Sequence, residues 1–427
     1  MNDLTPEEIR GLLDTDKTGK IYASSSNFRL ILERDKHFGN IHLDTIKGRA
    51  YRIIDGMRVY WADVDDSRLR DYIESTYLIR SKEKTEDAKL LFLDSRGTNP
   101  IAEYIDGVAW DGKPRCKYFF SKYAGASDTD YTREVSRIFF AQAVDRLYNP
   151  GCQADHVLTL VGKQGDGKSK MARWLAVFDD YYASVTTIKG KEGFEAVQGK
   201  WICELEELMA IITSGGKHLE AEARTKQFIS TRSDYYRQPY MHHPGDVHRS
   251  CVFIGTTNRE EFLTDPTGNR RWYPVKVKID SYWMEDHREE IQREILQCYA
   301  EACYHLRAKD QDSKPYPSRK YVKDIEDQQE AFEYEDGRRE LIERYLVQTK
   351  LEYTCCLDIW QNVLHPHSPH LRNEMPRTVA NEIGEILVHK IGCTRSGTKA
   401  FYDQAGNLRF KAKAFKVPCD LEERLKK

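Results

Sequence analysis

The chain has 427 residues, of which 40% are hydrophobic and 31% charged, with 16 Phe, 25 Tyr and 7 Trp. This composition supplies a sizeable core, which excludes wholesale disorder, and at about 150 residues per domain the length corresponds to two or three domains. The 66 Lys and Arg residues nearly balance 68 Asp and Glu residues, for a net charge of −2, so a globally basic, histone-like binder is excluded and any nucleic-acid surface must be a local patch.

Targeting signals and cysteine usage indicate the compartment. No apolar run approaches the ~18 residues that span a bilayer, and residues 1–8 are acidic and polar, unlike a secretory signal. The ten cysteines are scattered, and none forms a C-x-x-C pair. This pattern is typical of reduced thiols. We therefore predict a cytoplasmic protein with no membrane partner.

The first segment, residues 1–147, is predicted to be a mainly helical N-terminal domain. Apolar residues recur at helical spacing over 26–33, 68–77 and 133–147. The sequence Asn-Pro-Gly at 149–151 ends the last of these helices.

The next two segments differ in character. Residues 148–307 alternate short apolar runs, at 157–161, 201–203 and 251–254, with helical patterns. That alternation predicts an α/β domain with a parallel sheet and crossover helices. Residues 308–344 are highly charged and are predicted to form an exposed, partly helical linker.

The last segment, residues 345–427, begins with helical patterns and ends in two alternating runs. These runs, 399–403 and 408–412, flank the turn-forming sequence 404–407. The pattern predicts a β-hairpin at the end of a small C-terminal domain.

Residues 162–169 read G-K-Q-G-D-G-K-S and satisfy the phosphate-binding pattern G-x-x-x-x-G-K-[ST]. In this pattern Lys168 reaches the β- and γ-phosphates and the Ser169 hydroxyl ligates Mg²⁺. A predicted strand precedes the motif and a predicted helix follows it, which is the context of a P-loop. Gly162, Gly165 and Gly167 let the backbone curl so that its N–H groups face the phosphates.

Carboxylates and an amide follow the next two predicted strands. Glu204 is the candidate for Mg²⁺ and water positioning, and Glu207 is the alternative base. Each of these, and Glu206 between them, could also be a solvated surface acid. Asn258 ends the strand that begins near Cys251, where an amide can orient an attacking water; the alternative is an ordinary strand-end turn.

Two arginines, Arg270 and Arg271, follow a glycine turn and precede aromatic residues. They could be a strand-edge charge pair. They could also be arginine fingers that reach the γ-phosphate of a neighbouring subunit, which requires an oligomer.

In this order the motifs resemble the virulence-associated protein E (VapE) family of phages and pathogenicity islands, related to superfamily 3 helicases. The matching motifs of the ATPase core are 162–169, 201–207, 256–258 and 268–272. Further segments of similar sequence are 100–104, 108–115, 149–152 and 235–240. The resemblance covers roughly residues 25–280.

The resemblance implies an AAA+-like, hexameric motor driven by ATP and Mg²⁺ in the DNA replication of mobile elements. It assigns the phosphate and Mg²⁺ contacts to Lys168 and Ser169 and the acidic motif to Glu204 and Glu207. Asn258 would then sense the γ-phosphate, and both arginines would act across subunits. A pore-facing hairpin would lie within 226–243, with DNA contacts from Arg232, Arg237, His242 and His243.

The chain departs from many relatives that carry a primase ahead of this module. The 161 residues before the phosphate-binding motif contain Asp63 and Asp65, a D-x-D sequence that could suggest a polymerase metal pair. No other acids of that segment match the pattern. We therefore predict no primase activity.

A basic patch lies near the end of the chain. Seven basic residues and one acid occupy 390–416, interleaved with aromatic residues. Helices followed by a basic hairpin look like a winged-helix domain that binds DNA, with Arg409, Lys411 and Lys413 as contacts; the alternative is a solvated strand face. The histidines at 365–370 lack zinc-finger spacing and are predicted to be a loop.

The sequence thus predicts a P-loop NTPase core of the AAA+/superfamily 3 helicase type, with a helical N-terminal domain and a small winged-helix-like C-terminal domain. The predicted function is an ATP-hydrolysing DNA helicase or translocase that acts as a ring, with host or phage replication proteins as candidate partners. One alternative is a nucleotide-switched DNA-binding initiator or scaffold that unwinds nothing. Another is a regulator that binds ATP without productive hydrolysis.

Overall fold

The computed structural model describes residues 4–206, 218–236, 245–260, 262–263, 269–332, 337–366, 375–402 and 408–424. The chain divides into two compact units, Met1–Glu333 and Tyr334–Lys427, and each has buried apolar clusters of its own. The architecture is mixed α/β, as the sequence predicts. Within the described ranges, no helix is both long and apolar enough to cross a membrane.

The helices are α1 Pro6–Arg10, α2 Ser25–Arg34, α3 Asp63–Tyr77, α4 Lys82–Asp94, α5 Pro100–Asp106, α6 Phe119–Tyr123, α7 Asp130–Tyr148, α8 Lys168–Leu175, α9 Gly190–Val197, α10 His218–Ser230, α11 Ser281–Asp286, α12 Arg288–Ala308, α13 Val322–Glu330, α14 Gly337–Thr349, α15 Cys356–Ile359, α16 Arg377–Glu385 and α17 Leu421–Arg424. The strands are β1 Ile41–Asp44, β2 Arg49–Ile54, β3 Met57–Tyr60, β4 Gly97–Thr98, β5 Val157–Val161, β6 Tyr182–Val185, β7 Ile202–Leu205, β8 Ser233–Tyr236, β9 Gly245–His248, β10 Val252–Thr257, β11 Trp272–Lys276, β12 Tyr353–Thr354, β13 Thr394–Tyr402 and β14 Leu408–Lys416.

A five-stranded parallel sheet organises the first unit. Its strands lie in the order β11-β5-β10-β7-β6. Every residue of β5, β7 and β10 is buried, which explains their unbroken apolar runs, since helices cover both faces of such sheets. The three predicted strands are confirmed, and β6 and β11 extend the sheet. All five strands end at one edge.

The N-terminal segment differs from the mainly helical expectation. Besides its helices it contains a sheet of order β3-β2-β1-β4, in which β1, β2 and β3 run antiparallel. Asp55 and Gly56 join β2 to β3, with φ of 50° and 76°. Two successive residues of positive φ form the turn whose twist matches a hairpin.

The charged segment 308–344 also differs from the expectation of an exposed linker. Its residues 308–332 belong to the first unit and pack against other elements of that unit. The buried Arg137 guanidinium donates to the Asp312 carbonyl oxygen over 3.0 Å, and the Gln329 amide in α13 donates to the Trp272 carbonyl oxygen over 2.8 Å. Buried side chains therefore satisfy the backbone of this segment and of the strand it crosses.

The second unit has the element order α14-β12-α15-α16-β13-β14, with a sheet of order β12-β14-β13. The predicted hairpin is present, with longer strands than the sequence indicated. Residues 403–407 between them lie outside the described residues. Isoleucines from three helices fill the core of this unit: Ile342, Ile359 and Ile383.

Candidate functional site

The segment 162–167 joins β5 to α8 at the carboxyl edge of the parallel sheet. Gly165 and Gly167 have φ of 86° and 97°, values that favour glycine. A Cβ atom at Gly162 would lie 2.8 Å from the Val277 carbonyl oxygen. The loop therefore needs glycine at these three positions, for backbone conformation or for space.

Lys168 begins α8 and turns its ammonium into this loop. Its Nζ donates to the carbonyl oxygens of Gly162, over 2.8 Å, and Lys163, over 2.5 Å. The residue is 8% exposed, and burial lowers the pKa of Lys168 while the carboxylates of Asp166 and Glu204 oppose that shift. Within the described part of the chain these two bonds use two of the three donors of the ammonium, which leaves one for an anion in the loop.

Glu204 in β7 is fully buried, and three hydroxyl groups from three elements surround its carboxylate. Ser169 in α8 and Thr256 in β10 each donate to Oε1 over 2.6 Å. Tyr182 in β6 donates to Oε2. Hydrogen bonds to a carboxylate are the strong kind, so these donors compensate for its removal from water.

Tyr182 keeps its proton in this arrangement. Burial and the Glu204 carboxylate both raise the pKa of the Tyr182 hydroxyl. Neither Tyr182 nor Thr256 is singled out by the sequence, although Thr256 belongs to the Thr-Thr-Asn motif. The predicted residue of that motif, Asn258, lies exposed just beyond the carboxyl end of β10.

The two arginines lie at the other edge of the sheet. In the parallel register Trp272, the first residue of β11, pairs with Val157, the first residue of β5. Arg270 and Arg271 therefore lie at the amino ends of the strands, whereas the loop lies at their carboxyl ends. Five residues of strand separate the two edges, about 16 Å at 3.3 Å per residue. The Arg271 Nε donates to the Ser230 hydroxyl over 3.1 Å, burial lowers the pKa of Arg271, and Arg270 is exposed.

The predicted DNA contacts fall in separate places. In the first unit the Arg232 Nε donates to the Gly151 carbonyl oxygen over 2.6 Å, so part of its guanidinium already stabilises the fold. In the second unit, Arg409, Lys411 and Lys413 are exposed in β14. Lys411 and Lys413 share one face of the hairpin, whereas the pairing with β13 shifts register at Arg409, whose Nη2 donates to the Gln361 side-chain oxygen over 2.5 Å. Four predicted residues lie outside the described residues: Glu207, Arg237, His242 and His243.

The pair of oxygens from Ser169 and Glu204 matches what Mg²⁺ requires. Magnesium is commonly held by one or two protein oxygens together with substrate phosphates. Searched over the described ranges, the chain has no group of three or more His, Cys, Asp or Glu side chains able to hold a metal. The two oxygens are of the kind that can hold Mg²⁺ together with a phosphate ligand.

The Virulence-associated protein E-like domain model matches residues 105–334, more than half of the chain. The chain therefore belongs to the VapE-like family, which confirms the resemblance found in the motifs.

Comparison with individual proteins adds little to this assignment. Three apo structures of the NrS-1 C-terminal region match over 88% of this chain and 96% of their own. Their identities are 12–13% and their TM-scores 0.38, 0.39 and 0.41, which are too low to establish a shared fold. No curated protein matches.

Proposed function

We propose that this chain is an ATP-hydrolysing DNA motor, a helicase or translocase that acts as a ring in the replication of a phage or genomic island. The observation that carries the proposal is the 2.6 Å contact between the Ser169 hydroxyl and the Glu204 carboxylate, beside the Lys168 ammonium. This constellation stands at the carboxyl edge of a parallel sheet, where α/β proteins bind nucleotides.

Each residue of the constellation has a role in γ-phosphate transfer to water. The backbone N–H groups of 162–167 and the start of α8 bind phosphate oxygens. Lys168 holds the β- and γ-phosphates, and Ser169 with Glu204 would hold Mg²⁺, which neutralises charge on those oxygens when bound. Asn258, just beyond the end of β10, is the proposed residue that orients the attacking water. Glu207 is the proposed alternative base.

The positions of Arg270 and Arg271 favour action on a neighbouring subunit. They lie about 16 Å along the strands from the loop of their own chain, too far for either guanidinium to reach its phosphates. A head-to-tail ring joins two different surfaces of neighbouring subunits, and the surface that carries these arginines is the one proposed to meet the nucleotide site of the next subunit. We therefore propose hydrolysis at sites between subunits of a ring.

DNA is the proposed track of this motor. The element order α14-β12-α15-α16-β13-β14 supports a winged-helix interpretation of the second unit, in which β13 and β14 would form the wing. Arg409, Lys411 and Lys413 would contact phosphates there, which gives affinity without sequence preference. Arg232 and Arg237 are proposed contacts from the first unit.

The test is ATP hydrolysis with and without single-stranded DNA. Wild-type chain should hydrolyse ATP faster with DNA, and Glu204→Gln should abolish that turnover while still binding ATP. Glu206→Gln is the matched control, because Glu206 is exposed and accepts from Ser184 rather than from Ser169. ATP binding without turnover by the wild type would instead favour a nucleotide-switched initiator or scaffold.

A further inference from the structure

Tyr181 and Tyr182 are consecutive residues that contact two different carboxylates. Tyr182 begins β6 and donates to Glu204. Tyr181 immediately precedes the strand, is fully buried and donates to Asp44 Oδ2 over 2.6 Å. Tyr181 ends a 3₁₀ helix, Asp179–Tyr181, and Tyr182 begins the strand, so one short segment contacts two buried acids.

Asp44, at the end of β1, is the centre of a dense polar junction. It is fully buried. Its Oδ2 also accepts from the Tyr60 hydroxyl over 2.8 Å, and its Oδ1 accepts from the backbone N–H groups of Ile46 and Lys47. The Lys47 ammonium lies 4.1 Å and 4.6 Å from the ring centres of Tyr60 and Tyr181. Among the described residues, Asp44 therefore accepts four hydrogen bonds, two on each carboxylate oxygen.

The junction crosses the boundary of the family match. Asp44 and Tyr60 belong to the N-terminal sheet, which lies before the matched residues 105–334. Tyr181 and Glu204 lie within that range. An element outside the VapE-like domain thus holds the residue next to the one that binds Glu204.

We propose that Tyr182 is a positioning residue for Glu204, and that the Asp44–Tyr181 contact fixes β6 so that Tyr182 stays in place. The inference rests on the proposed function, in which Mg²⁺ engages the Ser169 hydroxyl. Glu204 then keeps one donor on each oxygen, Thr256 on Oε1 and Tyr182 on Oε2. Losing the Tyr182 hydroxyl leaves Oε2 without a fixed direction beside the metal.

The test measures binding of a fluorescent ATP analogue with Mg²⁺ and in EDTA. Tyr182→Phe keeps the ring and removes the hydroxyl. We expect it to weaken binding about tenfold in Mg²⁺, the effect of one hydrogen bond to a charged group, and to leave binding in EDTA unchanged. Tyr181→Phe should act in the same direction by about threefold, because it loosens β6 without touching Glu204.

Two further variants make the result specific. Tyr148→Phe is the matched control, since the Tyr148 hydroxyl donates over 2.6 Å to another carboxylate, that of Asp106; its Mg²⁺-dependent affinity should equal the wild type. Combining Tyr181→Phe with Tyr182→Phe should cost no more than Tyr182→Phe alone, because both changes act through one hydrogen bond.

Each outcome decides between the proposals. Suppose that the wild type hydrolyses ATP and that Lys168→Ala abolishes binding. If Tyr182→Phe then binds the analogue in Mg²⁺ as tightly as the wild type, the inference is overturned and the proposed function stands. If the affinity of the wild type is the same in Mg²⁺ and in EDTA, and Lys168→Ala binds the analogue as tightly as the wild type, both the proposed function and the inference are overturned. If thermal unfolding shows that Tyr182→Phe is not folded, Tyr181→Phe decides: weaker Mg²⁺-dependent binding supports the inference, and wild-type binding overturns it.

Discussion

Arg249 is a buried charge of the first unit that several specific partners hold in place. Arg249 and Asp234 form a bidentate pair with N···O distances of 2.6 Å and 2.8 Å. The Arg249 guanidinium also donates to the Phe228 carbonyl oxygen over 2.6 Å and stacks on the Phe228 ring. This pair ties β8 and the residue after β9 to the end of α10.

Removing one member of that pair should be costly. Arg249→Ala leaves the Asp234 carboxylate buried without its cation, so we expect the free energy of unfolding to fall by about 3–5 kcal/mol. Arg173→Ala is the control, because Arg173 and Asp179 form an exposed pair and such pairs contribute about 1 kcal/mol or less. Urea denaturation measures both. Equal losses for the two variants would contradict the assignment of Arg249 as a structural residue.

Lys168 should be essential for nucleotide binding, whereas its neighbour should not. Lys168→Ala removes the ammonium that lies inside the loop, and we expect ATP hydrolysis to fall at least about 100-fold. Lys170→Ala removes a cation from the same helix that instead pairs with Glu285 over 3.0 Å. Hydrolysis rates of the two variants check this; comparable losses would show that general charge near α8, and not the loop, matters.

Residues of the candidate site differ in how visible they are in the sequence. Lys168 and Ser169 stand at fixed positions of a motif, and Glu204 ends an apolar run, so all three could be predicted. Tyr182 and Thr256 could not. Their hydroxyls reach Glu204 because β6 and β10 flank β7, and that neighbourhood depends on the strand order, which no local pattern specifies.

At the scale of elements, the hairpin of the N-terminal sheet has a signal in the sequence that could have predicted it. Asp55-Gly56 lies between Arg49–Ile54 and Met57–Tyr60, and Asp-Gly between alternating residues is a strong hairpin signal. Helical periodicity around it masked the signal. The packing of residues 308–332 was harder to predict, because their charged composition favours a solvated linker. The tertiary contacts of Arg137 and Gln329 hold this segment against the rest of the first unit.

The hairpin of the second unit supplies an element-scale prediction. Replacing Arg409, Lys411 and Lys413 together with Ala should weaken DNA binding and lower the slope of log affinity against log salt by about 2 to 3, one counterion per lost phosphate contact. A triple change in α14 is the control for charge: Arg338, Arg339 and Arg344 each pair with a glutamate. Fluorescence anisotropy at several salt concentrations measures both. An unchanged slope in the β14 variant would exclude the hairpin as a DNA contact.

At the scale of the whole molecule, the two edges of the parallel sheet carry different parts of the proposed active site. Lys168→Ala chains keep their arginines, and Arg270→Ala chains keep their loop. Each should be inactive alone. Mixed in equal amounts, they should recover about a quarter of wild-type hydrolysis, since a head-to-tail interface can pair an intact loop with an intact arginine. Full activity of Arg270→Ala alone, or no recovery over a range of mixing ratios, would contradict action across subunits.

The strand order also governs how the chain is made. β5 carries the nucleotide loop at its end, yet it pairs only with β10 and β11 in this sheet, and residues 162–251 lie between it and the first of these. During synthesis the apolar segment Val157–Val161 therefore stays unpaired until strands far downstream leave the ribosome. Long-range parallel pairing is slow, and its intermediates expose apolar surface and are prone to aggregate. Nascent chains that end before Val252 should thus depend on chaperones and bind no nucleotide.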